Sequence, residues 1–181
     1  GMGYTLWHKG ERRKTFEVGQ TLLNFGQKHA DPRSMVMGNC CLGWSYLLAG
    51  DLSQATFCFK AAVKVSTDPW YSVFPKLALC YGYISYGKMK NAEALIHEIL
   101  EFSQARGAEF AGTPAYFFHG VVLVANGDLN RGVKILEEKL KLWSEKGNKL
   151  RYASCGFIMA TIYAHIAQSP KSLGLAKALQ N

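Results

Sequence analysis

Apolar side chains recur along this chain at helical offsets, and each set is interrupted by a glycine followed by a polar residue. Leu42, Tyr46, Ala55, Phe59 and Ala62 form one set; Leu79, Tyr83, Ala92, Ile96 and Ile99 form a second; Leu123 and Leu136 belong to a third. Inside the three sets stand Gly50-Asp51, Gly87-Lys88 and Gly127-Asp128, and Gly10-Glu11 lies upstream of them at a similar interval. Glycine takes the left-handed backbone that ends a helix without steric cost. A self-similar period of about 40 residues marks an array of helical hairpins, in which each unit needs its neighbour to bury its apolar face. The pattern predicts an all-α, right-handed helical-hairpin solenoid of about four repeats, the first and last incomplete.

Start and stop signals give the units. Asp31-Pro32 reads as an N-cap followed by proline in the first turn, where a missing N–H costs nothing. The helix from Pro32 runs to about Ala49, and a second from Leu52 to Val65 ends before Ser66-Thr67-Asp68-Pro69. The short link between them forces the pair antiparallel. The next unit ends its second helix near Arg106-Gly107. Thr113-Pro114 is expected to start the third, which ends near Lys146-Gly147. A further helix over 150–167 stops at Ser169-Pro170, with a short last helix over 172–179. Upstream, 11–28 reads as the second helix of a unit whose first helix is reduced to Tyr4–Lys9. The reading is one domain over 1–181: a partial unit 4–28, repeats 32–66, 69–107 and 113–147, and final helices over 150–180. Long connections between units, about 7–9 residues, are expected to account for the long period. Gly1 before Met2 reads as a cleavage scar, and the chain as an excerpt of a longer array.

The segment LGWSYLLAGDLSQATFCFKAA, with Leu42, Gly43, Tyr46, Ala55, Phe59 and Ala62 at fixed offsets, resembles the tetratricopeptide repeat (TPR). The family's usual Trp is replaced by Asn39, and its final proline is displaced to Pro69. Gly43 and Ala55 are small where the two helices of the hairpin are expected to touch. Over 4–168 the chain also resembles the C-terminal TPR region of bacterial adenylate/guanylate cyclase–AAA ATPase-type signalling proteins. That likeness rests on GERRKTFEVGQTLLNFGQKHADPRSMVMGNCCLGWSYLLAGDL and GVVLVANGDLNRGVKILEEKLKLWSEKGNKLRYASCGFIMATIYAHIA. It implies a regulatory or partner-binding arm, since the cyclase carboxylates and the G-x-x-x-x-G-K-[ST] loop are both missing from this sequence.

Composition narrows the function classes. The chain is 49% apolar and 19% charged, as folded proteins are. Its richest apolar stretch, Ala115 to Ala125, is broken by His119 and Gly120, so no membrane span is expected. The start carries no basic-then-apolar leader. Cys40, Cys41, Cys58, Cys80 and Cys155 have neither framework nor C-x-x-C spacing, which reads as buried thiols in a reducing cytoplasm, without metal or disulfide. The formal charge of +8 is dispersed and interrupted by Glu11, Glu17, Glu137, Glu138 and Glu145, so solvated helix faces are expected ahead of a nucleic-acid site. His29, His97, His119 and His165 fall on separate hairpins, and no serine sits in a G-x-S-x-G elbow. No enzyme and no cofactor is expected.

What remains is binding. In TPR arrays the first helix of each pair lines an inner concave groove. Carried onto this sequence, that groove is formed by Cys40, Trp44, Leu47, Leu77, Tyr81, Ile84, Phe117, Val121, Val124 and Phe157. Such a groove is apolar and aromatic and suits a protein or peptide partner. Three alternatives stay open at this stage: these side chains are core, the groove encloses an apolar small molecule, or an uncovered solenoid end pairs two copies as a homodimer.

Overall fold

The computed structural model describes residue 6 and residues 9–165. Among these residues the chain forms eight α-helices and no strand. They are α1 (Arg12–His29), α2 (Pro32–Leu48), α3 (Leu52–Val65), α4 (Pro69–Ser85), α5 (Met89–Arg106), α6 (Glu109–Ala125), α7 (Leu129–Glu145) and α8 (Lys149–His165). The expected Tyr4–Lys9 stretch lies largely outside the described residues, and the short helix over 172–179 wholly so.

Glycine turns end several of the helices through one repeated hydrogen-bond pattern. At the end of α2 the Gly50 N–H donates to the Leu47 carbonyl (2.9 Å) and the Asp51 N–H to the Tyr46 carbonyl (2.9 Å), with Gly50 at φ 75°. This is the Schellman arrangement, and it recurs at Gly87, Gly127 and Gly147. Asp51 and Asp128 then serve the next helix, accepting the Gln54 and Arg131 N–H groups. Between pairs, Asp31 and Asp68 cap α2 and α4, each ahead of a proline. The Ser34 hydroxyl first, then the Ser34 and Arg33 amides, hold the Asp31 carboxyl below its usual range.

Two expectations about the joints are corrected. Helix α6 begins at Glu109, not at Thr113-Pro114, and Pro114 lies inside it, as Pro75 lies inside α4. The earlier start follows from burial. Ala108, Ala111 and Ala115 are almost wholly buried, and the Gly112 N–H donates to the Ala108 carbonyl (3.1 Å). Packing of that face outweighs the proline's lost N–H. The connections between units are correspondingly short, two or three residues at 30–31, 66–68, 107–108 and 146–148, and helices of 17 or 18 residues take up the long period.

Contacts group the chain into two compact units, the first ending at Phe118 and the second beginning at His119. In the first, α1 and α2 meet backbone to backbone. A Cβ placed on Gly38 would lie 2.6 Å from the Leu23 nitrogen and 2.9 Å from the Gly19 carbonyl oxygen. Phe59 of α3 is wholly buried, and the three atoms nearest a Cβ at Gly43 all belong to its ring. Gly43 therefore faces the Phe59 ring. Val36, Cys40 and Ala62 form a buried cluster on which Trp44, Val65 and Tyr71 pack. Asn39, where a TPR carries Trp, donates from Nδ2 to the Met35 carbonyl (2.9 Å) and so meets its own polar need. In the second unit Gly120 and Gly132 bring α6 and α7 close, a Cβ at Gly132 falling 2.7 Å from the Gly120 oxygen. There the Tyr163 hydroxyl donates to Glu137, and the Arg151 guanidinium lies 6.0 Å from the Trp143 ring centroid.

All five cysteines are free thiols, and Cys40, Cys41, Cys58 and Cys80 are buried. Burial disfavours the thiolate and pushes Cys41 and Cys58 up to about 11 and Cys80 and Cys155 up to about 12. Cys40 moves in the same direction for the same reason.

Two measurements check this packing. Gly38→Ala should separate α1 from α2 and destabilise by about 1–3 kcal/mol in denaturant melts. Gly82→Ala, whose new Cβ meets nothing closer than 3.5 Å, should be neutral or stabilise by up to about 1 kcal/mol through helix propensity. Equal losses at both positions would contradict the crossing. In iodoacetamide labelling at pH 8, the four buried thiols should react at least ~100-fold more slowly in the native protein than after unfolding, because only thiolate reacts. Raised thiol pKa values favour the fold below the unfolded value of 9.0 and cease to do so as pH climbs towards the folded values, so stability should fall between pH 9 and about 12. Labelling of the native protein at the unfolded rate would contradict the burial.

Candidate functional site

The first helix of each pair in the first unit is nearly free of charge. Arg33 is the one charged residue of α2, Lys76 that of α4, and Glu109 that of α6. Lys76 is neutralised by Glu98, its ammonium 2.6 Å from the carboxylate. Large rings fill the same helices. Trp44 of α2 lies 5.7 Å from Tyr81 of α4, and Tyr81 lies 6.4 Å from Phe118 of α6, each pair edge to face. Edge-to-face contact sets the positive rim of one ring against the negative face of the next. Trp44 rests in turn on Phe59, 5.0 Å between centroids. Trp44, Tyr81 and Phe118 are half-buried, seated on core and open on one side.

The ten expected groove residues divide. Trp44 and Tyr81 come together in this row, and Leu47, Leu77 and Ile84 are half-buried on the same two helices. Val121 and Val124 are half-buried in the second unit, where Phe157 is 72% exposed. Cys40 and Phe117 do not reach the surface: they are 5% and 1% exposed. Cys40 belongs to the Val36–Ala62 cluster, and Phe117 turns inward while its neighbour Phe118 carries the row.

Phe118 was not among the expected residues, although it stands as far after Tyr81 as Tyr81 does after Trp44. A second surface was also missed. Trp70, Phe74 and Phe110 are 46%, 48% and 40% exposed and adjoin one another. Phe110 stacks on Trp70 and on Phe74, 5.9 Å from each, and Phe102 supports Trp70 edge-on at 5.4 Å. Tyr71 continues the patch, 6.0 Å from Phe74, to an open hollow of about 240 Å³ lined by Asp31, Arg33, Ser66, Asp68 and Tyr71 among others. Trp70 and Phe110 each stand second in their helix, in successive repeats. The start expected at Thr113-Pro114 concealed that equivalence.

Among the described residues no group of three or more His, Cys, Asp or Glu side chains gathers as metal ligands would, and no helix is long and apolar enough to cross a membrane.

No family profile matches the sequence, and no curated protein sequence matches it. Solved structures do. BtubC (BKLC) from P. vanneervenii superposes with a TM-score of 0.67 at 18% identity, covering 98% of this chain and 75% of that one. A putative kinesin light chain from Podosopora anserina, with nearly identical TPR-like repeats, gives 0.60 at 14% identity over 99% of this chain and 90% of its own. A variant of that protein gives 0.61 with the same identity and coverage. At these identities the likeness is one of fold, and the fold is an all-α array of TPR-like helical hairpins.

Proposed function

We propose that this chain is a non-catalytic protein-interaction module that takes a peptide or helix of a partner along the first helices of its repeats. The observation that carries this reading is the Trp44–Tyr81–Phe118 row. It places large rings on three successive repeats, seated on core, on helices almost without charge. Aromatic anchors held by their own scaffold lose little side-chain entropy on binding, and residues of this type dominate interface energies. The TPR-like fold supports a protein partner in preference to a small molecule. Five free thiols suit a reducing, cytoplasmic setting. A place as the regulatory arm of a bacterial cyclase–ATPase-type signalling protein rests on the sequence resemblance, and the reading frame joined upstream in the genome checks it.

A random peptide library displayed on phage and selected on the wild-type protein tests the interaction directly. Selected peptides should bind Tyr81→Ala at least tenfold more weakly, about 1.4 kcal/mol or more, while the variant keeps a cooperative melt. Tyr81 is the better probe than Trp44, because Trp44 also covers Phe59 and its truncation should reduce stability. Peptides that bind the variant as tightly as the wild type would remove the row from the site.

A further inference from the structure

Five residues of α4 that reach the surface fall on one stripe. Trp70, Phe74, Leu77, Tyr81 and Ile84 follow at steps of four, three, four and three residues, the spacing of a single helix face. None of the five is buried, and Trp70 and Phe74 are exposed. The flanking first helices lean rings onto both ends of the stripe. Phe110 of α6 stacks on Trp70 and Phe74, while Trp44 of α2 and Phe118 of α6 meet Tyr81. The Trp70–Phe74–Phe110 patch and the Trp44–Tyr81–Phe118 row are therefore two ends of one apolar face. At about 1.5 Å per residue its stripe on α4 is about 21 Å long.

What this stripe lacks decides what it can hold. It carries no charged side chain; Lys76 lies off it, paired with Glu98. Its hydrogen-bonding side-chain groups are the Trp70 indole N–H and the Tyr81 hydroxyl, so a single oxygen is its whole stock of acceptors. The helix backbone beneath is paired with itself. An extended segment laid along about 21 Å would bring about six residues at about 3.3 Å each, with an N–H and a C=O on every one but proline. The groups turned towards α4 would leave water for apolar carbon and find no partners, which is costly for each of them. Pairing by strand addition needs an open strand edge, and the described residues contain no strand. An α-helix pairs its own backbone groups and presents side chains alone.

We infer that this face docks an α-helix of a partner protein, one that turns apolar side chains at i, i+4 and i+7 onto the Trp70–Ile84 stripe and keeps its charged residues on the far side. The inference rests on the interaction-module reading and chooses between the extended peptide and the helix that it leaves open. A small apolar molecule suits the face less well. Such ligands are held in pockets that enclose most of their surface, whereas Trp70 and Phe74 stand 46% and 48% exposed on an open helix face.

The phage library described above tests this when its inserts are about 18 residues long, about five helical turns. Peptides enriched on the wild type should carry apolar residues at i, i+4 and i+7. Their synthetic versions should gain helical ellipticity on binding. Proline in place of a central polar residue should weaken binding at least tenfold, and alanine at the same position should not. Phe74→Ala and Leu77→Ala proteins should each bind at least tenfold more weakly. Phe74 is exposed, so its truncation should leave the melt unchanged and keeps the test decisive if the half-buried Leu77 proves structural. Binding without helical gain that tolerates the central proline, or affinities unmoved by Phe74→Ala, would overturn the inference. So would a dimer in sedimentation that Phe74→Ala dissociates. Extended peptides that still depend on Tyr81 would overturn this inference alone and leave the interaction module standing, whereas no enrichment at all would remove both.

Discussion

The ring of Phe59 is the contact on which the first unit depends. It leaves α3 wholly buried and enters a space that exists because α2 offers Gly43, with Gly82 of α4 along its other edge. A Cβ on Gly43 would collide with the ring, and one on Gly82 would fall 3.7 Å from its other edge. A buried phenyl ring stabilises by roughly 1.5–3 kcal/mol relative to exposure, but here it also fixes geometry. Three helices meet at this ring, and the side chain that Gly43 lacks sets the distance between α2 and α3. Trp44 lies over the same ring, so the position of the first anchor in the aromatic row follows from this core contact.

From there the row is built by relay. Tyr81 leans on Trp44, and Phe118 leans on Tyr81, each ring oriented by the one before. The interval from Gly87 to Gly127 is longer than that from Gly50 to Gly87, yet the row of rings keeps one even interval throughout. The difference lies in the second helices. α3 has 14 residues and α5 has 18, while the loop after α5 is one residue shorter. Helix α6 therefore starts three positions late relative to α4. The ring that meets Tyr81 stands about one turn nearer the N-terminal end of its helix, a slide of roughly 4.5 Å at about 1.5 Å per residue. The residue at the shifted register is Val121, which belongs to the second unit's surface.

This slide explains what could and could not be read from the sequence. The turns were legible because a Schellman end needs a residue at positive φ, and Gly50, Gly87 and Gly127 supply it at a visible period. The caps at Asp31 and Asp68 were legible because each precedes a proline well suited to the first position of a helix. The start of α6 was not, because what decides it is the burial of Ala108, Ala111 and Ala115, and alanine carries no directional signal. The assignment of Phe117 to the groove failed for a related reason. Two phenylalanines in succession point about 100° apart on a helix, and a one-residue error in register exchanges the core ring for the surface ring. Cys40 was misplaced by the same logic, since a thiol packs as a small hydrophobe and faces Val36 and Ala62.

The exposed patch follows from the same architecture rather than from an accident of composition. Inter-unit loops of two or three residues bring the first turns of α4 and α6 side by side, so the second residue of each helix meets its counterpart. A small residue there would leave a notch between helix ends, whereas Trp70 and Phe110 fill it with rings that stack on each other but cannot both be covered. Phe102 closes the inner side and Phe74 extends the outer one. The short joints thus bring these rings together and leave them in water, and exposed rings braced by their neighbours are suited to a partner's side chain.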